Sequence, residues 1–329
     1  LDVTNLTSLG PNTVRWEISS TDDVDLGYVM SPIKVGVLPN GRWVAVFGNG
    51  FSSTNGYASL FVVDIEDAAS TNPTTRANAV QKLTVDNTGG NGLGGVTLFH
   101  DATGQIAGVY AGDLKGNMWK FIYSASAASK FTVSGGAAVF TATTSGGAVQ
   151  PITSSPALFL HAQGGHMIIF GTGKLFATAD ATDTTTQSVY GVWDKPADSL
   201  SRPLSRGYMA PRTLNSFSGT GGASGTTFYS LSGSAVDWNA ERGYVIDLGT
   251  SIPGGRVIYP TQVIGYDSAL VTAVAPVQGT PAACDSLSGT GLNLALAVKT
   301  GLNPPNHTLD TNGDGVADAS DTYAVGYGT

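Results

Sequence analysis

At 329 residues, 41% of them apolar, the chain has ample material for a sizeable core and does not read as disordered. Only 12% of residues are charged and the net charge is −8, with no cluster of Lys and Arg, which argues against nucleic acid or an anionic membrane as a direct partner. No run of about 18 apolar residues occurs, so no segment is expected to insert directly into a membrane.

Gly supplies 44 residues, nearly twice the usual share, and Ser, Thr and Asn are abundant, as in turn-rich β-proteins. The length exceeds that of a typical domain, but all-β units reach this order, and residues 1–329 are expected to form a single domain. Cys284 is the only cysteine, so no intrachain disulfide can form. The opening LDVTNLTSLGPN has neither Met nor a signal-like apolar stretch and suggests an excised or processed piece of a longer protein.

Along the chain the dominant period is two. RWVAVFGNG (42–50), SLFVVDI (59–65), AGVYAGD (107–113), NMWKFIY (117–123), HMIIFGTG (166–173) and RGYVIDLG (242–249) are short β-branched and aromatic runs bounded by turn residues. Only NLALAVK (293–299) could be argued as a helix, and it is short enough for a buried strand. The Gly-rich stretches near 86–95, 134–147 and 216–225 read as insertions between strands. Gly48, Gly112 and Gly171 end or interrupt similar strands 64 and 59 residues apart, each soon followed by a second strand. This loose repeat of short strands suits a β-propeller better than a sandwich, because radial repetition protects sheet edges.

The segment carrying chemistry is DTNGDGVADASD, residues 310–321. A hard-cation loop wants oxygen ligands at positions 1, 3, 5, 7, 9 and 12 and Gly at 6. Asp310, Asn312, Asp314, Val316 through its carbonyl, Asp318 and Asp321 fill those positions, and Gly315 supplies the turn. Four carboxylates this close repel unless a cation neutralises them, so the expected cofactor is Ca²⁺. NPPNH ahead of the loop breaks any entering helix, so a lone site rather than an EF-hand pair is expected.

The stretches 38–65, 109–121, 151–176, 187–196 and 235–248, together with the closing loop, resemble the PilY/PilC family of type IV pilus tip-associated adhesins. The resemblance implies an all-β, quinoprotein-like β-propeller with modified blades, the amino-terminal adhesive part being absent. It further implies pilus biogenesis and surface attachment, an extracellular, pilus- or outer-membrane-associated location, calcium tuning of extension against retraction, and partners among pilus components (minor pilins) and a host or abiotic surface receptor. Relatives often carry a second calcium loop before the Tyr-Ala-Gly-Asp strand. Here its positions fall on Phe99, Asp101, Thr103 and Ala107, of which only Asp101 coordinates strongly, so that site is expected to have lost calcium.

Other features read as structural. FGTGKL (170–175) lacks the first Gly and the Ser/Thr of a phosphate-binding loop. His100, His161, His166 and His307 show no metal-ligand spacing, and no Gly-X-Ser-X-Gly elbow is present. Trp43, Trp119, Trp193 and Trp238 suit sheet packing better than a glycan platform, and Asp64 and Asp113 suit strand ends better than catalysis. The sequons at Asn5 and Asn306 carry little weight in a bacterial surface protein. The expectation is a non-enzymatic, calcium-binding interaction module. The alternatives are a quinoprotein-type dehydrogenase, which should announce itself by the absorbance of bound quinone, and a lectin-like glycan binder.

Overall fold

The structure is a computed structural model and describes residues 7, 10, 13–249, 251–276 and 290–328; Cys284 and Asn5 lie outside the described residues. Its elements are almost entirely strands, as the period-two pattern predicts. The chain divides into two compact units, Leu1–Leu114 with Trp119–Ala137, and Lys115–Met118 with Ala138–Thr329.

In the first unit, β1 (Lys34–Val37), β2 (Trp43–Gly48), β3 (Ala58–Asp64) and β4 (Val80–Asp86) form an antiparallel meander. Between β3 and β4 lie two short helices absent from the sequence reading, α1 (Ile65–Ala68) and α2 (Pro73–Ala77). Their starts are locally encoded. The Asp64 carboxylate accepts the amides of Glu66 and Asp67, and Asn72 caps α2 ahead of Pro73. A second meander follows: β5 (Leu93–His100), β6 (Ile106–Asp113), β7 (Asn117–Tyr123) and β8 (Phe131–Val133). Val44, Val46, Leu60 and Val62 of the first sheet share a buried core with Val96, Ile106, Val109 and Phe121 of the second. Each such side chain contributes roughly 1.5–3 kcal/mol on burial.

In the second unit, β9 (Phe140–Thr141) pairs with Asn117 and Met118. Then come β10 (Ala157–Leu160), β11 (His166–Gly171), β12 (Ser188–Asp194), β13 (Ala210–Ser218), β14 (Thr227–Ser232) and β15 (Gly243–Asp247). The remaining strands are β16 (Gln262–Ile264), β17 (Ser268–Ala275), β18 (Thr290–Ala297) and β19 (Gly326–Gly328). They form one ten-stranded sheet in the order β10-β11-β12-β15-β13-β14-β19-β18-β17-β16. The hinge of this sheet is β13, whose first residues pair parallel to β15 and whose later ones pair antiparallel to β14. Side chains from both halves, among them Trp193, Ile246, Val271 and Leu294, meet in one core. The three glycines of the loose repeat, Gly48, Gly112 and Gly171, all fall on the second strand of a meander, namely β2, β6 and β11.

One titratable group sits within the packing of the second unit. The His161 ring stacks on Trp193 at 4.0 Å between centroids, with Trp238 edge-on at 4.7 Å, and its Nδ1 accepts the Gln163 amide at 3.1 Å. Burial and then the charge of Lys299 hold its pKa below the ordinary 6.5. The unfolded chain therefore binds more protons than the folded one just below that value. The stabilisation from neutral His161 is complete above about pH 6.5 and is lost as pH falls through the window beneath it. Melting temperatures at pH 7.5 and pH 5 should differ for the wild type, and His161→Phe should narrow the difference; equal narrowing in a control His100→Phe would sink this attribution.

Candidate metal centre

Residues 310–321 carry no helix or strand and lead, five residues later, into β19. The loop is shaped by its own polar side chains. Asp310 accepts the amide of Gly313 at 2.5 Å on Oδ1 and that of Gly315 at 2.8 Å on Oδ2. Asn312 Oδ1 accepts from Asp314 N and Asp314 Oδ1 from Val316 N, both at 2.9 Å. Asp318 takes the amide and hydroxyl of Ser320. Asp321, 7% exposed, draws the two ends together. Its Oδ1 accepts Thr311 N at 2.6 Å and Asn312 N at 3.1 Å, and its Oδ2 accepts Asp318 N at 2.9 Å. These bonds favour the charged forms: the Ser320 hydroxyl lowers the Asp318 pKa, and the Asp318 amide lowers that of Asp321.

The loop is held against the tip of the β13–β14 hairpin by backbone. Thr220 N donates to Thr311 O at 2.9 Å. Gly313 has φ +73°, and a Cβ there would lie 2.2 Å from Ala223 N, so only glycine allows this approach.

The six sequence-selected positions thus lie in one loop, with Asp314, Val316 and Asp318 exposed to solvent. Their donors are all oxygen, which is the chemistry a hard divalent cation takes. Among the described residues, no three His, Cys, Asp or Glu side chains converge as a metal-holding group; the carboxylates rest on the loop's own amides.

The 99–107 stretch has a different form. Phe99 and Ala107 lie within β5 and β6, and Phe99 packs on Tyr110 at 5.4 Å. Asp101 caps the connecting turn, its Oδ1 taking Thr103 N, Thr103 Oγ1 and Gln105 N.

Lys174, the residue that gave FGTGKL its phosphate-loop look, is paired with buried Asp180 at 2.7 Å. Trp193 is buried, Trp119 donates to Asp113 at 2.8 Å, and Trp238 packs edge-on to Trp193, but Trp43 is 57% exposed. Asp64 caps α1 and pairs with Arg42, and Asp113 is fully buried. Sequence reasoning missed Asn49, whose side chain joins Asp25 O, Tyr57 O, Ser59 N and Leu93 N, although the Asn49-Gly50 dipeptide marked a turn. It also missed Arg256, a buried cation whose guanidinium donates to backbone carbonyls.

Comparison with known proteins places the chain. Residues 16–220 match the PilY1 beta-propeller domain family. The type IV pilus biogenesis factor PilY1 of Pseudomonas aeruginosa strain PAO1 is 37% identical over 243 residues, which cover 65% of this chain and 20% of that protein. A PilY1 homologue from Xylella fastidiosa is 34% identical over 203 residues, covering 59% of this chain and 14% of its own length. The chain therefore spans about a fifth or less of the curated relatives it matches. The crystal structure of the Pseudomonas aeruginosa PilY1 C-terminal domain superposes with a TM-score of 0.79 and 31% identity, over 95% of this chain and 69% of that one. The fold is accordingly that of an all-β propeller, and the chain belongs to the PilY1 beta-propeller family.

Proposed function

We propose that the chain is the propeller module of a type IV pilus biogenesis factor. It acts at the cell surface as a non-enzymatic scaffold for pilus components and surface attachment, and it takes one Ca²⁺ at residues 310–321. The observation that carries this reading is the match in fold and sequence to a solved PilY1 C-terminal domain over nearly the whole chain. Loops on a rigid scaffold are where such binding residues sit.

The terminal loop also has a mechanical part in this proposed scaffold. β19 lies between β14 and β18, with Tyr327 opposite both Phe228 and Asn293. Val325 N donates to Tyr229 O at 2.7 Å, and Val325 O accepts Ala295 N at 2.6 Å. Among the described residues, β14 and β18 are joined in the strand order through β19 alone. Asp310, Asn312, Asp314, the Val316 carbonyl, Asp318 and Asp321 would hold the cation. A bound Ca²⁺ would offset two of the four carboxylate charges and relieve their mutual repulsion. The residues around it do the rest: Asp321 ties positions 311, 312 and 318 together, and the closed loop delivers Ala324 and Val325, both buried, into the core beside β19.

The cellular test replaces the full-length protein with a version lacking residues 1–329. Surface pili counted by electron microscopy, and twitching motility, should fall by at least about tenfold, whereas normal piliation would sink the proposal. Absorbance of the purified chain adds a second check, since a bound quinone chromophore would favour the dehydrogenase alternative.

A further inference from the structure

Arg212 lies on β13 at the point where that strand changes partners. It pairs with Ile246 in the parallel ladder to β15, and its neighbour Thr213 begins the antiparallel ladder to β14. Ala210 stands opposite Tyr244 in the same parallel ladder, so Arg212 shares the sheet face on which Ala210, Tyr244 and Ile246 enter the core. The guanidinium is accordingly buried, at 5% exposure, with its carbon 5.8 Å from the centre of the Tyr244 ring. Its Nε donates to Thr300 O at 2.8 Å and its Nη1 to Pro211 O at 3.0 Å. Among the described residues, buried Nη2 has no acceptor, and the hydroxyl of fully buried Tyr244 has no partner either.

Other arginines of this unit are paired or saturated. Arg202, Arg206 and Arg242 each meet a carboxylate, and Arg256 turns all three of its nitrogens onto carbonyls. Arg212 has neither arrangement. The carboxylate that acts on it from further off, that of Glu241, accepts the Asp237 amide. Lys299, next to the Thr300 carbonyl that Arg212 holds, adds a like charge to this corner. A buried cation without a counter-charge is strongly disfavoured. Burial accordingly lowers the Arg212 pKa and raises that of Tyr244.

We propose that Arg212 Nη2 and the Tyr244 hydroxyl together bind a chloride ion at the turning point of β13. Both groups can donate to it, and a monovalent anion also supplies the missing charge. A water molecule would satisfy the donors and leave the charge uncompensated. Close packing suits a single-atom ion rather than a larger oxyanion. A Cβ on Gly301 would lie 2.3 Å from the Tyr244 ring, one on Gly191 2.6 Å from its hydroxyl oxygen, and one on Gly233 3.0 Å from Arg212 Nη1. Because Arg212 also holds Thr300 O, the ion would tie the turning point of β13 to the turn that follows β18.

The test uses the purified chain dialysed into sodium gluconate and titrated with sodium chloride at constant ionic strength. Its melting temperature should rise saturably by about 2 °C or more, as for a ligand bound by the folded state alone. Tyr244→Phe keeps the ring and removes one donor, so the half-saturating chloride concentration should increase at least about tenfold. Arg212→Met should abolish the response. Crystals of the wild type soaked in sodium bromide should show an anomalous-difference peak within about 3.5 Å of both donors. That readout stands even where Arg212→Met fails to fold. Equal melting temperatures in the two salts overturn the proposal, and so does a rise that both variants retain, which would be a general salt effect. A soaked crystal without a bromide peak at these two groups overturns it as well.

Discussion

Replacing Arg256 with Met is expected to cost the second unit about 3 kcal/mol or more, read as a lowered urea midpoint at an unchanged slope. Arg256 is 2% exposed and its guanidinium faces backbone oxygens rather than a carboxylate. Its Nε donates to Gly254 O at 3.0 Å, and Nη1 donates to Lys174 O at 3.0 Å and Asp180 O at 2.5 Å. Nη2 reaches the carbonyl of Asp183. The segment 174–183 is thereby tied to the strand-like stretch at 256–257, where Arg256 bridges Val274. Met fills similar volume but leaves four carbonyls without that donor, and each stranded buried acceptor costs about 1–3 kcal/mol. Arg256→Lys should recover only part of the loss, because one ammonium cannot reach oxygens spread across a planar fork. A full rescue by Lys would mean that charge, not geometry, holds the segment.

The strand framework was legible because its cause is local. In NLALAVK, Leu292, Leu294 and Leu296 around and within the run are all buried at every second position, so the helix option yields to β18. β5 was obscured for a reason that lies elsewhere in the chain. Residues 86–95 read as a Gly-rich insertion, yet β5 begins at Leu93. The backbones approach closely there: a Cβ on Gly48 of β2 would sit 2.2 Å from Gly94 O, and one on Gly92, just ahead of β5, 2.2 Å from Gly50 O. Packing between sheets, not turn chemistry, explains glycine there. The parallel pairing of β13 with β15 was equally hidden, because register between strands some 30 residues apart leaves no periodic trace in either.

For the candidate site, the donor pattern of 310–321 was legible since six ligand positions and a turn glycine lie within twelve residues. What the loop leans on was not. The Thr220–Ala223 tip reaches it from about 90 residues away and contacts it through backbone, so closely that a Cβ on Gly221 or Gly222 would lie 2.4 Å from the carbonyl oxygen of Asn312 or Gly313, and such an approach leaves no donor pattern in the sequence. Arg256 was invisible for the same reason, its partners being carbonyls at 174, 180 and 183 that carry no side-chain signature.

Calorimetric titration of chelator-stripped protein with Ca²⁺ should show one site, and Asp314→Ala should abolish it. Asp314 is the position-5 ligand of the proposed centre, and its solvent-exposed carboxylate accepts the amide of Val316 within the loop. Without metal the variant should therefore melt within about 1–2 °C of the wild type, as surface substitutions do. Ca²⁺ at a hundredfold excess over its dissociation constant would stabilise the wild type by about 2.7 kcal/mol. In a chain of this size that is a rise of several degrees, absent in Asp314→Ala. Because β19 follows the loop, the same addition should slow exchange at the Val325 and Ala295 amides that join β19 to its neighbours. Asp101→Ala separates the two candidate loops. Its carboxylate serves the turn by accepting from Thr103 and Gln105, so binding should survive that change. Binding that persists in Asp314→Ala and disappears in Asp101→Ala would move the metal to the β5–β6 turn, and residues 310–321 would then hold β19 through hydrogen bonds alone.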